Sequence, residues 1–200
     1  MSEDSIGMDI TAQVNARIAK EERMQFVKKN RDKVEKKSKI KELSQAFVIN
    51  CARARDKGNG ILFAELMRGK MIYIPEGKYW LEWQGHRWAE MYDQQAESAV
   101  ERVADEYAKA KAREEEAQRN AAAEEDMDES KLHKKNASSL GAAIWNLHCT
   151  AGGQACLKMS LANEAPLLVP ADRLDLDPYL LGCPNGLVDL RTGESRPGRP

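Results

Sequence analysis

Between positions 174 and 193 the chain reads LDLDPYLLGCPNGLVDLRTG, a segment that can only be short extended pieces joined by tight turns. Pro184-Asn185-Gly186 is turn chemistry, because proline presets φ while asparagine and glycine tolerate the left-handed region. Leu187 to Leu190 then reads as a short strand, and Thr192-Gly193 as another turn before Glu194 to Arg196. Asp189 and Arg191 fit a structural Asp–Arg bond bracketing this hairpin better than a functional pair. Asp175 and Asp177 alternate, so both fall on one side of an extended strand. Two acids can bind a divalent ion, yet without a third ligand nearby a solvated edge or an Asx-type turn before Pro178 is the better reading.

A second region changes period. Residues 71–74 and 79–83 alternate as strands separated by Pro-Glu-Gly-Lys, and Gln84-Gly85 supplies a tight turn before 86–88. A small antiparallel meander near 71–90 follows, with Tyr79, Leu81 and Trp83 on one face and Trp80 and Glu82 on the other. Three tryptophans in nine residues (80, 83 and 88) raise the idea of base stacking, for which Trp80 is the best candidate. Packing within the sheet is the stronger reading of the group.

The remainder is helical in pattern. Residues 10–41 lack glycine and proline and carry scattered apolar residues among charged helix formers. Their apolar stripe is thin, so this arm needs a neighbour to stay folded. Residues 43–55 have a stronger apolar set and end at Asp56-Lys57-Gly58-Asn59-Gly60, read as a break with Asn59 capping a helix over 61–67. A long helix is expected over 96–120 with Val100, Val103 and Tyr107 inward, fraying into an acidic, mobile stretch within 114–135. A further helix through Leu140, Ala143, Ile144 and Leu147 is expected to stop at Gly152-Gly153, followed by a shorter one over 154–162. The fold class is therefore α+β and mostly helical, with a helical N-terminal arm, long helices, the small meander and a short C-terminal hairpin.

Charge is unevenly placed. Net charge is −1, but residues 28–41 carry eight Lys or Arg against two acids, whereas 114–129 carry eight acids against Arg119. The basic arm, with Lys28, Lys29, Arg31, Lys33, Lys36, Lys37, Lys39 and Lys41, spreads around a helix and gives a diffuse positive field suited to phosphate contact without sequence reading. Arg53, Arg55, Arg87 and Trp80 are further DNA-contact candidates, with Lys57, Arg68, Lys70 and Arg191 behind them. A soluble charged helix remains the plain reading of the arm. Cys51, Cys149, Cys156 and Cys183 show no Cys-x-x-Cys spacing and read as buried thiols, not metal ligands. His86, His133 and His148 are too scattered to name a general base, and no catalytic site is expected within 1–200. No apolar run of membrane-spanning length is present, so no membrane partner is expected.

Two blocks together resemble a known family. One comprises Asp56, Gly58, Asn59 and Phe63, then Ile72 to Pro75, then Trp80, Leu81, Trp83, Gly85, Arg87 and Trp88. The other comprises Asp177, Pro178, Tyr179, Leu180 and Leu181, then Asn185, Gly186, Leu187, Val188, Asp189, Leu190, Arg191, Thr192, Gly193 and Glu194. Order and spacing are similar to the N-terminal-like domain that precedes the superfamily 3 motor in poxvirus, phage and plasmid primase-helicases. The likeness covers about 43–200, apart from 114–135.

Charge and pattern set off a basic arm over 1–42, and the resemblance implies that 43–200 is an accessory domain acting before an ATP-driven helicase motor. No Gly-x-x-x-x-Gly-Lys-Ser/Thr loop occurs, so ATP and magnesium are expected only in that motor. The chain is then expected to be an N-terminal fragment or truncated product of a mobile-element helicase, in the cytoplasm of a bacterial host. Its expected work is to assist DNA binding or loading on single-stranded or forked DNA, or ring assembly through self-association. The alternatives are a purely structural oligomerisation collar and a protein-docking regulator.

Overall fold

The computed structural model describes residues 43–200; the reading of 1–42 as a basic helical arm, with its eight cationic candidates, lies outside them. The first helix, α1 (Gln45–Arg53), starts where Ser44 Oγ accepts the Phe47 amide at 3.3 Å, satisfying one of the amides a helix start leaves open. The chain then turns at Arg55, whose φ of 55° is left-handed, and α2 (Arg55–Met67) begins at once.

That corner corrects the expected break at 56–60. Gly58, Asn59 and Gly60 lie buried inside α2. A Cβ on Gly58 would stand 1.9 Å from the Cys51 carbonyl oxygen, and one on Gly60 would stand 2.5 Å from the Met159 main chain. Helix propensity alone disfavours each glycine by about 1 kcal/mol; close helix contact is what requires them. Asn59 is accordingly no N-cap. Its Oδ1 accepts from the Tyr107 hydroxyl at 2.9 Å in the core.

Next come β1 (Met71–Ile74), β2 (Tyr79–Trp83) and β3 (Trp88–Met91), an antiparallel meander with Ile72 opposite Leu81 and Trp83 opposite Trp88. The third strand begins where the expected one ended. Both faces of β2 are covered. Trp80 packs edge-on against Phe63 and Tyr73 toward the helices, while Leu81 joins Ile72 and Ile74 in a small second core. The free edge of β1 is strapped by 167–169: Tyr73 N donates to Leu167 O and Val169 N to Tyr73 O, at 2.8 and 3.0 Å.

The expected single helix over 96–120 is two pieces, α3 (Asp93–Ala99) and α4 (Glu101–Ala123), meeting at Val100. Val100, Val103 and Tyr107 are buried as the pattern predicts. The acidic stretch forms the tip of an antiparallel hairpin of α4 with α5 (Met127–Leu147), where residues 124–129 are exposed. Asp126 Oδ1 accepts the amides of Asp128 and Glu129 at 3.2 and 3.0 Å, so the acidic run supplies a cap and charges favoured at a helix start. Helix α6 (Thr150–Ser160) holds Gly152 and Gly153 in its first turns, so they do not terminate α5. A Cβ on Gly152 would lie 2.0 Å from the Asn146 carbonyl oxygen, where α6 folds back over the end of α5.

A short 3₁₀ turn (Ala171–Arg173) leads to β4 (Leu180–Cys183), β5 (Gly186–Asp189) and β6 (Ser195–Arg196), so the expected hairpin is a three-stranded antiparallel sheet. Arg191 bonds both Asp189 oxygens at 3.2 and 3.1 Å, reaches Asp177 Oδ2 at 3.2 Å and lies 5.1 Å from the Tyr179 ring centroid. Asp177 also accepts the Tyr179 amide at 3.0 Å, an Asx-type turn around Pro178. These acids and Arg191 are a clasp that holds the sheet together.

The main core joins Leu62, Phe63 and Met67 of α2 to Val103 and Tyr107 of α4, Leu140 of α5 and Cys156 of α6. Burial pushes the Cys51 thiol up to about 11 and the Cys156 thiol up to about 12, which keeps both protonated and inert. Cys149 and Cys183 are half-buried free thiols.

Candidate nucleic-acid interface

The apolar stripe of α5 is Leu140, Ala143, Ile144 and Leu147. Trp145 lies off that stripe, about 140° from Leu140 at 100° per residue, and its side chain is 72% exposed. Lys134 is eleven residues earlier, about three turns and 16 Å along the axis. It therefore falls on the same outer line as Trp145, with the exposed Ser138 between them.

The corner of α1 and α2 is fastened beside this line. Arg53 Nη2 donates to Asn136 Oδ1 at 2.6 Å, and Asn146 Nδ2 donates to Asp56 Oδ1 at 3.0 Å. The second bond sets exposed Arg55 and Lys57 next to the end of α5 that carries Trp145. Asp56 is the one acid at this corner. No ion pair within 4.0 Å forms to Arg55, Lys57, Lys134 or Lys135 among the described residues. An open indole face with cations free of ion pairs along its helix and at the neighbouring corner has the chemistry that holds a single strand: stacking on the bases and attraction of the phosphates.

A buried polar hub stands behind the strip. Glu114, on α4, accepts from Gln45 Nε2 at 3.0 Å and Asn136 Nδ2 at 2.8 Å, and its other contact is His133 Nδ1 at 2.8 Å. Burial alone would raise the Glu114 pKa, but the hydrogen bonds from His133, Gln45 and Asn136 outweigh it and hold the carboxyl below its ordinary value. The bond to Glu114 in turn holds the His133 imidazolium above the usual histidine value, against the effect of burial. Through Asn136 the hub fixes the partner of Arg53.

Of the residues expected to touch DNA, Arg53 and Arg55 fall at this corner. Trp80 does not: it is 5% exposed and packed against Phe63 and Tyr73, so no ring face remains for a base. Arg87 sits in the 84–87 turn, which follows Trp83 near the other end of α2, and its Nε donates to Gln84 Oε1 at 3.3 Å. The motif residues Trp83 and Trp88 pack against each other with centroids 5.2 Å apart and planes inclined at 59°, and Gly85 turns with φ of 87°. Trp80, Trp83, Trp88 and Gly85 thus serve the sheet and its turn, while Arg87 stays exposed at the other end of α2 from this corner. Trp145 was missed because it lies outside both motif blocks; its signal was a large aromatic out of phase with its helix's apolar stripe.

Elsewhere, a cleft of about 460 Å³ opens between the α3–α4 junction and the start of α6, lined by Glu97, Glu101, His148, Cys149 and Gln154. Among the described residues no group of three His, Cys, Asp or Glu side chains is placed to hold a metal ion, and no helix is long and apolar enough to cross a membrane.

A family model described as D5 N terminal like matches residues 60–200. The chain belongs to this family. It is thus a D5 N-terminal-like domain, of the kind found in primase-helicase proteins of replication. Neither the curated proteins nor the solved structures yield a match. The matched span takes in α2 from Gly60, both sheets and the α4–α5 hairpin, so Trp145 and its basic neighbours on α5 belong to the D5 N-terminal-like domain, while Arg53, Arg55 and Lys57 lie just before the matched span.

Proposed function

We propose that this D5 N-terminal-like domain holds single-stranded DNA along the α5 strip and so helps load it for the helicase. The observation that carries this reading is the exposed Trp145, on one line with Lys134 and beside Arg55 and Lys57. Cations on the strip attract phosphates without reading sequence, and the indole gives a base a face that every base can use. The role is positional: the strand is kept extended at the domain surface.

Fluorescence anisotropy with single-stranded, duplex and forked DNA over a salt series tests it. Stacking on one aromatic is worth roughly 1–3 kcal/mol, so Trp145→Ala should weaken single-strand binding by about 5- to 150-fold. Arg55→Gln with Lys57→Gln should flatten the log–log salt slope by about 0.7 for each phosphate no longer neutralised. Single-strand affinity unchanged by both variants would sink the reading.

A second reading, ring assembly or protein docking, draws on the outer face of the C-terminal sheet. Tyr179, Leu181 and Leu190 stand there 51%, 50% and 57% exposed. Stable interfaces bury about 800 Å² per partner, more than three such side chains supply, so self-association through this face would be weak. If it occurs, sedimentation velocity will show a concentration-dependent oligomer that Leu181→Glu with Leu190→Glu returns to monomer. A monomer at all concentrations before mutation removes this reading.

A further inference from the structure

The two motif blocks meet in space, and where they meet the surface is basic. A Cβ on Gly182 would lie 2.5 Å from the His86 carbonyl oxygen, and one on Gly198 would lie 2.2 Å from the Gly85 carbonyl oxygen. Only glycine permits that approach, so the C-terminal sheet and tail are pressed onto the 84–87 turn. The ring of Pro200 reaches to 3.2 Å of the Cβ position on Gly69. Arg196 and Arg199 are thereby brought beside Arg87 and Lys70.

Among the described residues these four cations form no ion pair within 4.0 Å. Arg87 donates only to the neutral Gln84 amide, and the Lys70 ammonium only to the Leu66 carbonyl, at 3.2 Å. Arg196 and Arg199 are exposed, and their side chains make no hydrogen bond or ion pair among the described residues. The contrast with their neighbours is sharp: Arg191 is neutralised by Asp177 and Asp189, and Arg68 by Glu65 at 3.0 Å. Burial, and after it the like charge of Arg102, push the Lys70 pKa down.

We propose that this junction is a second nucleic-acid site, one that grips the phosphate backbone of the double-stranded arm of a fork. It rests on the reading of the Trp145 strip as the single-strand site. The nearby aromatics, Trp83 and Trp88, are half-buried and occupied with each other, so the junction offers charge without a stacking face. That suits a duplex, whose bases are already stacked, better than a single strand. The two surfaces stand at opposite ends of α2, whose 13 residues separate them by about 18 Å.

The test is Arg196→Gln with Arg199→Gln in the full chain, beside Trp145→Ala, on blunt duplex, single-stranded and forked DNA over a salt series. Both arginines are exposed and unpaired, so melting temperature serves as the folding control and should not move. Duplex and fork binding should weaken, with the salt slope falling by about 0.9 for each phosphate no longer neutralised, while single-strand binding holds. Duplex affinity left unchanged, or single-strand affinity lowered equally, overturns the proposal. So does equal competition by polyglutamate, which would make the junction a site for acidic protein. Failure of the strip reading has a separate signature, in which Trp145→Ala leaves single-strand binding intact.

Discussion

Glu114→Ala is expected to lower stability by about 1–3 kcal/mol, the usual cost of leaving a buried polar group without its partner. The carboxylate is the shared acceptor of Gln45, His133 and Asn136. Without it, three donors on α1 and α5 face a void, and Gln45 keeps only its bond to the Ala110 carbonyl at 2.9 Å. Urea denaturation at fixed pH measures the loss; a change within about 0.5 kcal/mol, the range of ordinary surface substitutions, would refute it.

The same hub predicts a pH dependence. Glu114 is held below its ordinary value, so its contribution is present above the unfolded carboxyl pKa and is lost as pH falls through the folded one. His133 is held above its ordinary value, so its contribution is present below the unfolded imidazole pKa and is lost as pH rises through the folded one. Both operate together between about pH 4.3 and 6.5. The stability gap between wild type and His133→Gln should be widest in that window and narrow above it, and a gap that does not vary with pH would contradict the pairing.

Gly60→Ala should also destabilise, against the usual sign. Alanine in place of a helical glycine normally gains about 1 kcal/mol. Here the added methyl would sit 2.5 Å from the Met159 carbonyl carbon and 2.6 Å from the Ser160 amide nitrogen. Main chain cannot swing aside as a side chain can, so α2 and α6 must separate. Overpacking of this kind costs about 1–3 kcal/mol, occasionally more. A melting temperature equal to or above wild type would show that the seam is looser than its geometry states.

Periodicity disclosed most of the elements, because residues such as Val103 and Tyr107, or Tyr79 and Leu81, follow the period of their own helix or strand. It misread residues whose partners are remote in sequence. Gly58 and Gly60 look like breakers until α1 and α6 are seen against them, and Gly152 until Asn146 is. Within the acidic run 124–129 is exposed, as a solvated helix end would be, yet Glu114 is buried by partners at 45, 133 and 136, which no local window contains. The site was legible in part. Arg53 and Arg55 could be named from charge, whereas Trp80 drew attention by clustering with other tryptophans, and that clustering reflects packing. Trp145 stands alone, and only the phase of its helix sets it apart.

The α4–α5 hairpin bears on how the chain reaches this state. Its two helices adjoin across three connecting residues, 124–126, so their contacts close a short loop and can form early. The seam between Gly60 and Met159 joins positions nearly a hundred residues apart and must wait for everything between to be roughly in place. Helix α2, glycine-weakened on its own, then has no reason to persist until the hairpin and α6 offer it a surface. The residues that hold Arg55 and Lys57 at the end of α5 would thus be among the last to settle, so the proposed strip is assembled in the closing step of folding.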